Sequence, residues 1–221
     1  DFLLAANGVT VICTAATVGD TGDIGGVTYT KRSKAQIDAL ADANNYTPLA
    51  TTCTSDITDM SWVLYNETTF NGDIGSWDVS SVTNMSYMFA SADAFNRDLN
   101  SWDVSKVTNM KSMFSQADAF NGDISSWNVS SVTDMTSMFT FAGVFNADIS
   151  SWIVSKATDM EEMFYYAEAF NRDLNSWNVS SVTDMNQMFN EAEAFNGDIS
   201  SWNVSSVTNM SYMFSNADAF N

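Results

Sequence analysis

From residue 57 onward the apolar positions recur with a fixed step of 25 residues. Trp77, Trp102, Trp127, Trp152, Trp177 and Trp202 mark that step, and Met85, Met110, Met135, Met160, Met185 and Met210 keep it. So does the phenylalanine column from Phe70 to Phe220, and no insertion breaks the register. A degenerate first unit begins near Ile57, with Met60, Val63 and Leu64 in place of the later Met, Met and Phe. Within one unit, Leu99, Trp102 and Val104 follow the spacing L-x-x-L-x-L. The last two alternate with Asp103 and Ser105, the period-two pattern of a short half-buried strand. Val107, Met110, Met113, Phe114 and Ala117 then follow at steps of three and four, which predicts one face of a short helix. Thr108, matched by a threonine in every later unit, stands where an N-cap is expected.

Each unit therefore reads as strand, turn, helix, turn. No single unit can enclose its own Trp and Met side chains, whereas stacked units can. The expected fold is an α/β repeat: a right-handed, leucine-rich-repeat-like solenoid over 57–221. A parallel sheet would line one face, with strands about 4.8 Å apart, and short helices the other. The unit Phe120-Asn121-Gly122-Asp123-Ile124-Ser125-Ser126-Trp127-Asn128-Val129-Ser130-Ser131-Val132-Thr133-Asp134-Met135, followed by Met138-Phe139, resembles leucine-rich repeats. It is more closely similar to the roughly 25-residue repeats of mycoplasma surface lipoproteins and of secreted proteins from marine bacteria and small algae, often grouped as BspA-like. The resemblance covers 57–221. It implies exposure at the cell surface and, loosely, adhesion, and it brings no catalytic residues with it.

Residues 1–56 have a different texture and are expected to form a small α+β N-terminal cap over the first coil. Gly8–Thr14 is alternating and β-branched, Asp20-Thr21-Gly22-Asp23 is a turn signal, and Val27–Thr30 is a second strand. Lys34–Ala43 carries Ile37 and Leu40 at helical spacing behind Ser33 as N-cap. Cys13 and Cys53 both lie here, and one bridge across 40 residues is their simplest use, with buried free thiols the alternative. A bridge would imply an oxidising compartment. At the other end the chain stops mid-coil at Phe220-Asn221, which fits a longer array or an end that docks.

Charge and composition narrow the function. The formal net charge of −19, from 27 acidic and 8 basic residues, argues against nucleic acid as a partner. Histidine is absent, and no apolar run is long enough for membrane insertion. Glu161, Glu162, Tyr165 and Tyr166 are the clearest departures from the repeat, but they lack a matched nucleophile or base, so no enzyme is expected. Two polar features are candidates for binding. The first is the exposed strand face, with Ser76, Ser101, Ser126, Ser151, Ser176 and Ser201 in one row. Asp78, Asp103, Asn128, Asn178 and Asn203 form the next row, which Ile153 interrupts. The second is the column Asp73, Asp98, Asp123, Asp148, Asp173 and Asp198, which is expected either to close Asx-type turns or to hold calcium between coils. Otherwise no cofactor is expected. The reading is an extracellular or cell-surface adhesion or binding module whose partner is a protein or glycan on a cell or matrix surface. A subunit that self-associates end to end, and a calcium-dependent protein, are the alternatives.

Overall fold

The computed structural model describes all 221 residues. Regular secondary structure is confined to the first quarter of the chain. Strands β1 (Leu3–Leu4) and β2 (Val11–Ile12) pair antiparallel. Strand β3 (Thr21–Ile24) pairs antiparallel with β4 (Val27–Lys31), which runs parallel to β5 (Thr52–Cys53). The residues expected as a turn, Asp20–Asp23, thus belong mostly to a strand. The turn falls at Gly25-Gly26 instead, both at positive φ (61° and 85°), the backbone that a tight two-residue hairpin requires. Helix α1 (Lys34–Asp42) starts where expected, with Ser33 and Gln36 closing a capping box.

The 25-residue units stack in register. Equivalent rings lie over one another, with indole centroids 6.2–6.5 Å apart from Trp77 to Trp177. The column from Phe89 to Phe214 repeats at 5.3–5.8 Å. One apolar cluster runs unbroken from Ile37 to Met213, so the cap helix and the coils share a single core. Each aromatic ring removes about 150–250 Å² from water, worth roughly 4–6 kcal/mol at about 25 cal/mol/Å². No coil could gain that alone.

Inside the coils the expected strand and helix are both absent. The only strand-like pairing is a single parallel bridge residue per coil, Asp59, Asn84, Asn109, Asp134, Asp159, Asp184 and Asn209, and it falls where the helix was expected to begin. The set expected on a helix face, Val107, Met110, Met113, Phe114 and Ala117, is fully buried, but a run of turns carries it inward. The N–H groups of Met85, Tyr87, Phe89 and Ser91 donate to the carbonyls of Asn109, Lys111, Met113 and Ser115 in the next coil at 2.8–2.9 Å. Between them, Met88, Ala90 and Ala92 close short turns onto Met85, Tyr87 and Phe89. Left-handed residues make the alternation possible, two per coil, such as Tyr87 (φ 58°) and Ser91 (φ 57°).

Spacing explains why no helix forms. Packed helices need 8–10 Å between axes. The ring columns on both sides of the coil repeat at about 5–6.5 Å, so the stack does not fan open to that width. At this distance backbones bond to each other across coils rather than within a helix. The threonine column accordingly does not cap helices. Thr108 donates both its N–H (2.8 Å) and its hydroxyl (3.2 Å) to the Thr83 carbonyl of the coil before.

The coil register also reaches back into the segment expected to be cap. Leu49, in a 3-10 turn over Thr47–Thr51, sits 25 residues before Ile74 and accepts the Trp77 indole N–H at 2.9 Å. Tyr46 meets the Phe70 ring edge-on at 5.1 Å, in the place a preceding phenylalanine would fill.

Candidate functional site

Cys13 and Cys53 form the disulfide. Around it lie Val11 and Ala16, with Phe2, Ile24 and Tyr29 packed against them. The Lys31 amine is buried beside this cluster and donates to the carbonyls of Cys13 and Ala16 (3.0 Å each) and to Asp56 (2.6 Å). That lysine ties β4 to the chain on both sides of the bridge. The β1–β2 segment continues onto the coils: Val11 donates to the Ser76 carbonyl at 2.9 Å, and the Asn7 amide to the Ser101 carbonyl at 3.2 Å.

This contact corrects part of the expected binding face. Ser76 and Ser101 are half-buried, and Asp78 is buried, accepting hydrogen bonds from Ser55 Oγ (2.5 Å) and from Ser80. Farther along, Asp103, Asn128, Asn178 and Asn203 remain exposed, as do Ser126, Ser151, Ser176 and Ser201. Their polar atoms are nonetheless in use. Ser126 Oγ donates to the Asn100 carbonyl and Ser151 Oγ to the Ser125 carbonyl, each at 3.0 Å. Ser176 and Ser201 repeat the bond to Ser150 and Asn175. Asp103, Asn128, Asn178 and Asn203 each accept the N–H of the serine two residues on. Ile153 breaks the row and is 60% exposed.

The aspartate column serves the backbone in the same way. Asp73, Asp123, Asp148 and Asp198 accept the N–H of the residue two positions on, at 2.9–3.0 Å. Asp98 and Asp173, both one residue after an arginine, accept instead from Asp123 and Asp198 of the next coil at 2.9 Å. The hydroxyl and N–H of Ser150 hold the Asp148 carboxyl below its ordinary pKa, and the N–H and hydroxyl of Ser200 do the same for Asp198. Nowhere do three acidic side chains converge in a way that would hold a metal ion. The asparagines form a further ladder: Asn71 accepts from the Asn96 N–H, Asn96 from Asn121, and so on to Asn221.

The feature that the sequence reading missed lies on the turn segment of the coil. Most of its left-handed residues reach the surface, and exposed aromatic side chains collect there. Trp62 (48% exposed) stacks on Tyr87 at 4.0 Å, with Tyr65 against its edge. Two coils further on, Phe141 (41% exposed) stacks on Tyr166 at 4.8 Å and meets Tyr165 edge-on at 5.3 Å. Exposed Val144 follows in the same coil, beyond Ala142 and Gly143. Before the last coil, Ile153 is the one large apolar side chain of the units that is exposed elsewhere. The departures from the repeat at Tyr165 and Tyr166 are the signal of this patch in the sequence. Glu191 beside Tyr166 pushes its phenol up.

A chain of identical-length coils, joined by backbone bonds and ring ladders, defines a repeat protein. It belongs to the family described as "Mycoplasma protein of unknown function, DUF285", which matches residues 35–152 and again 141–221. The first match begins inside α1, in keeping with a coil register that starts before residue 57. No curated protein and no solved structure matches the chain. No helix is long and apolar enough to cross a membrane.

Proposed function

We propose that the chain is a solenoid rod, displayed outside the cell or on its surface, that works as a non-catalytic binding or adhesion module through its turn face. The observation that carries this reading is the placement of exposed aromatic side chains. Exposed Trp62, Tyr65 and Phe141, with half-buried Tyr87, Tyr165 and Tyr166 against them, all occupy the turn segment, outside the shared core. Solvent-facing aromatic clusters on a strongly acidic surface serve contacts with other molecules. The serine row, by contrast, spends its hydroxyls on neighbouring coils, and the aspartate and asparagine row accepts N–H groups of its own turns. A disulfide fits an oxidising location.

The test of the binding reading is retention of the full chain, coated on beads, by cells or extracellular matrix. Trp62→Ser with Phe141→Ser should abolish retention, while Ser126→Ala with Asn128→Ala leaves it unchanged. Retention that follows the second pair and ignores the first would move the site to the serine face.

A further inference from the structure

Phe141 has two different sides. One is stacked on Tyr166 (4.8 Å, 17°), and Tyr165 braces the ring edge-on, so its orientation is fixed. The same column carries Gln116 one coil earlier, and on that side the ring walls an open recess of about 490 Å³ lined by Asp93, Gln116, Asp118 and Phe141. Neither carboxylate has a basic partner: the ion pairs of the chain are Lys31–Asp56 and Lys34–Asp38, both in the cap. The acidic column that holds Asp93 and Asp118 continues as Gly143, Glu168, Glu193 and Asp218. Its single break, Gly143, falls in the coil of Phe141, and nothing lies within 4 Å of where a side chain would begin there. The ring is therefore left uncovered between two stretches of negative charge.

An aromatic face next to two unpaired carboxylates is the chemistry that receives an organic cation. The ring quadrupole attracts the charge from one side, and the carboxylates attract it from the other. A surface of net charge −19 steers such a partner in and holds anions off. We propose that this recess docks a basic polypeptide segment, with one Lys or Arg side chain laid on Phe141 and its charge held by Asp93 and Asp118. This deepens the binding-module reading and rests on it. Gln116 supplies an amide oxygen at the same rim, and Tyr166 keeps the ring from folding away.

The test uses the full chain and a fluorescent octa-arginine peptide, with a glycine–serine octapeptide and a neutral oligosaccharide as further probes, followed by anisotropy at low and high salt. Phe141→Gln restores the residue found one coil earlier, so the fold tolerates it, and the melting curve checks that it does. It should weaken the arginine peptide about 3-fold, the worth of one exposed cation–ring contact. Asp93→Asn with Asp118→Asn should weaken it about 10-fold or more. Glu193→Gln with Asp218→Asn removes the same charge elsewhere on the column and should change binding less than 2-fold. Equal losses from both charge pairs, with no effect of Phe141→Gln, would show general attraction to an acidic surface and overturn the proposal. So would saccharide binding that depends on Phe141. If beads carrying the wild type are retained by cells but Phe141→Gln and the Asp93/Asp118 pair are retained equally, this site fails and the binding reading stands. If the wild type is not retained at all, the broader reading fails first.

Discussion

The Trp77 indole N–H donates to the Leu49 carbonyl at 2.9 Å, and Trp102 makes the same bond to Ile74 one coil later at 3.1 Å. The series continues from Trp127 to Leu99, Trp152 to Ile124, Trp177 to Ile149 and Trp202 to Leu174. From Trp77 to Trp177 each tryptophan is thus both a buried ring and a clamp onto the preceding coil, and half-buried Trp202 keeps the clamp. The cap joins the stack by supplying a carbonyl in register, so Leu49 stands where Ile74 and Leu99 stand in later coils.

Two substitutions at Trp127 separate packing from clamping. Trp127→Ala removes a ring that sits between Trp102 and Trp152 and should cost about 3–5 kcal/mol in chemical denaturation. Trp127→Phe keeps an aromatic ring but removes one of the two donors to the Leu99 carbonyl, which keeps the Trp102 N–H, a loss of about 0.5–1.5 kcal/mol. A phenylalanine variant as stable as the wild type would show that the clamp contributes nothing.

Glycines at equivalent and neighbouring positions should respond with opposite sign. A Cβ on Gly122 would lie 2.2 Å from the Arg97 carbonyl oxygen, and one on Gly197 would lie 2.1 Å from that of Arg172. In both cases the glycine follows an arginine coil whose side chain bonds back to Asn71 or Asn146. Gly122→Ala should therefore destabilise by about 1–3 kcal/mol, the usual range for forced overpacking. Gly143→Ala meets open space at a negative φ and should stabilise by about 0.4–1 kcal/mol through the unfolded chain. Equal melting shifts for the two would refute the close-approach account.

The buried columns were legible in the sequence because period alone decides which residues face inward. Met110, Met113, Phe114 and Ala117 are fully buried as the spacing requires. The element carrying them was not legible: steps of three and four suit a helix, but also suit turns broken by left-handed residues. Ser112 and Gln116 hold that conformation without being glycine, so no residue type announced it. The hairpin partner was misread for a similar reason, since Asp20–Asp23 carries turn residues that tertiary packing places in β3. Gly22 is needed there because a Cβ would meet the Phe2 ring at 2.3 Å. The candidate site was half legible. Tyr165 and Tyr166 stood out, whereas the unpaired Asp93 and Asp118 beside Phe141 become visible only when coils are stacked.

The left-handed positions give a prediction that runs against ordinary glycine scanning. Ser91 sits at φ 57°, where a non-glycine residue is strained, so Ser91→Gly should leave stability unchanged or raise it by up to about 1 kcal/mol. Ser91→Val places a β-branched side chain in the same region and should cost about 1–3 kcal/mol. Urea midpoints of the two variants decide the matter, and a glycine variant that loses more than the valine one would sink it.

Reduction of Cys13–Cys53 should loosen the cap while leaving the ladders of the later coils intact. Closing 40 residues restricts the unfolded chain by about 4 kcal/mol on the chain-entropy account. Hydrogen exchange in reductant should therefore speed up over 1–31, where Val11 and Lys31 anchor, and stay slow at Phe139 and Phe164. Uniform acceleration along the chain would mean that cap and coils unfold as one unit.

Acid should act through carboxylates alone, because the chain has no histidine. Asp148 and Asp198 have folded pKa values below the ordinary carboxylate value, held there by the donors at Ser150 and Ser200. A depressed folded pKa contributes stability that is fully present above the unfolded value of about 3.9 and is lost as pH falls through the folded one. Protonation also relieves the mutual repulsion of a chain at net charge −19, an effect of opposite sign. About 1 M salt shortens the screening length to about 3 Å and suppresses that second effect while leaving hydrogen bonds in place. In high salt the melting temperature should then stay flat from pH 8 to about 5 and drop below about 4. Ser150→Ala, which removes the hydroxyl donor to Asp148, should make that drop shallower. A melting temperature that keeps rising to pH 3 in high salt would mean that the aspartate bonds do not hold the turns.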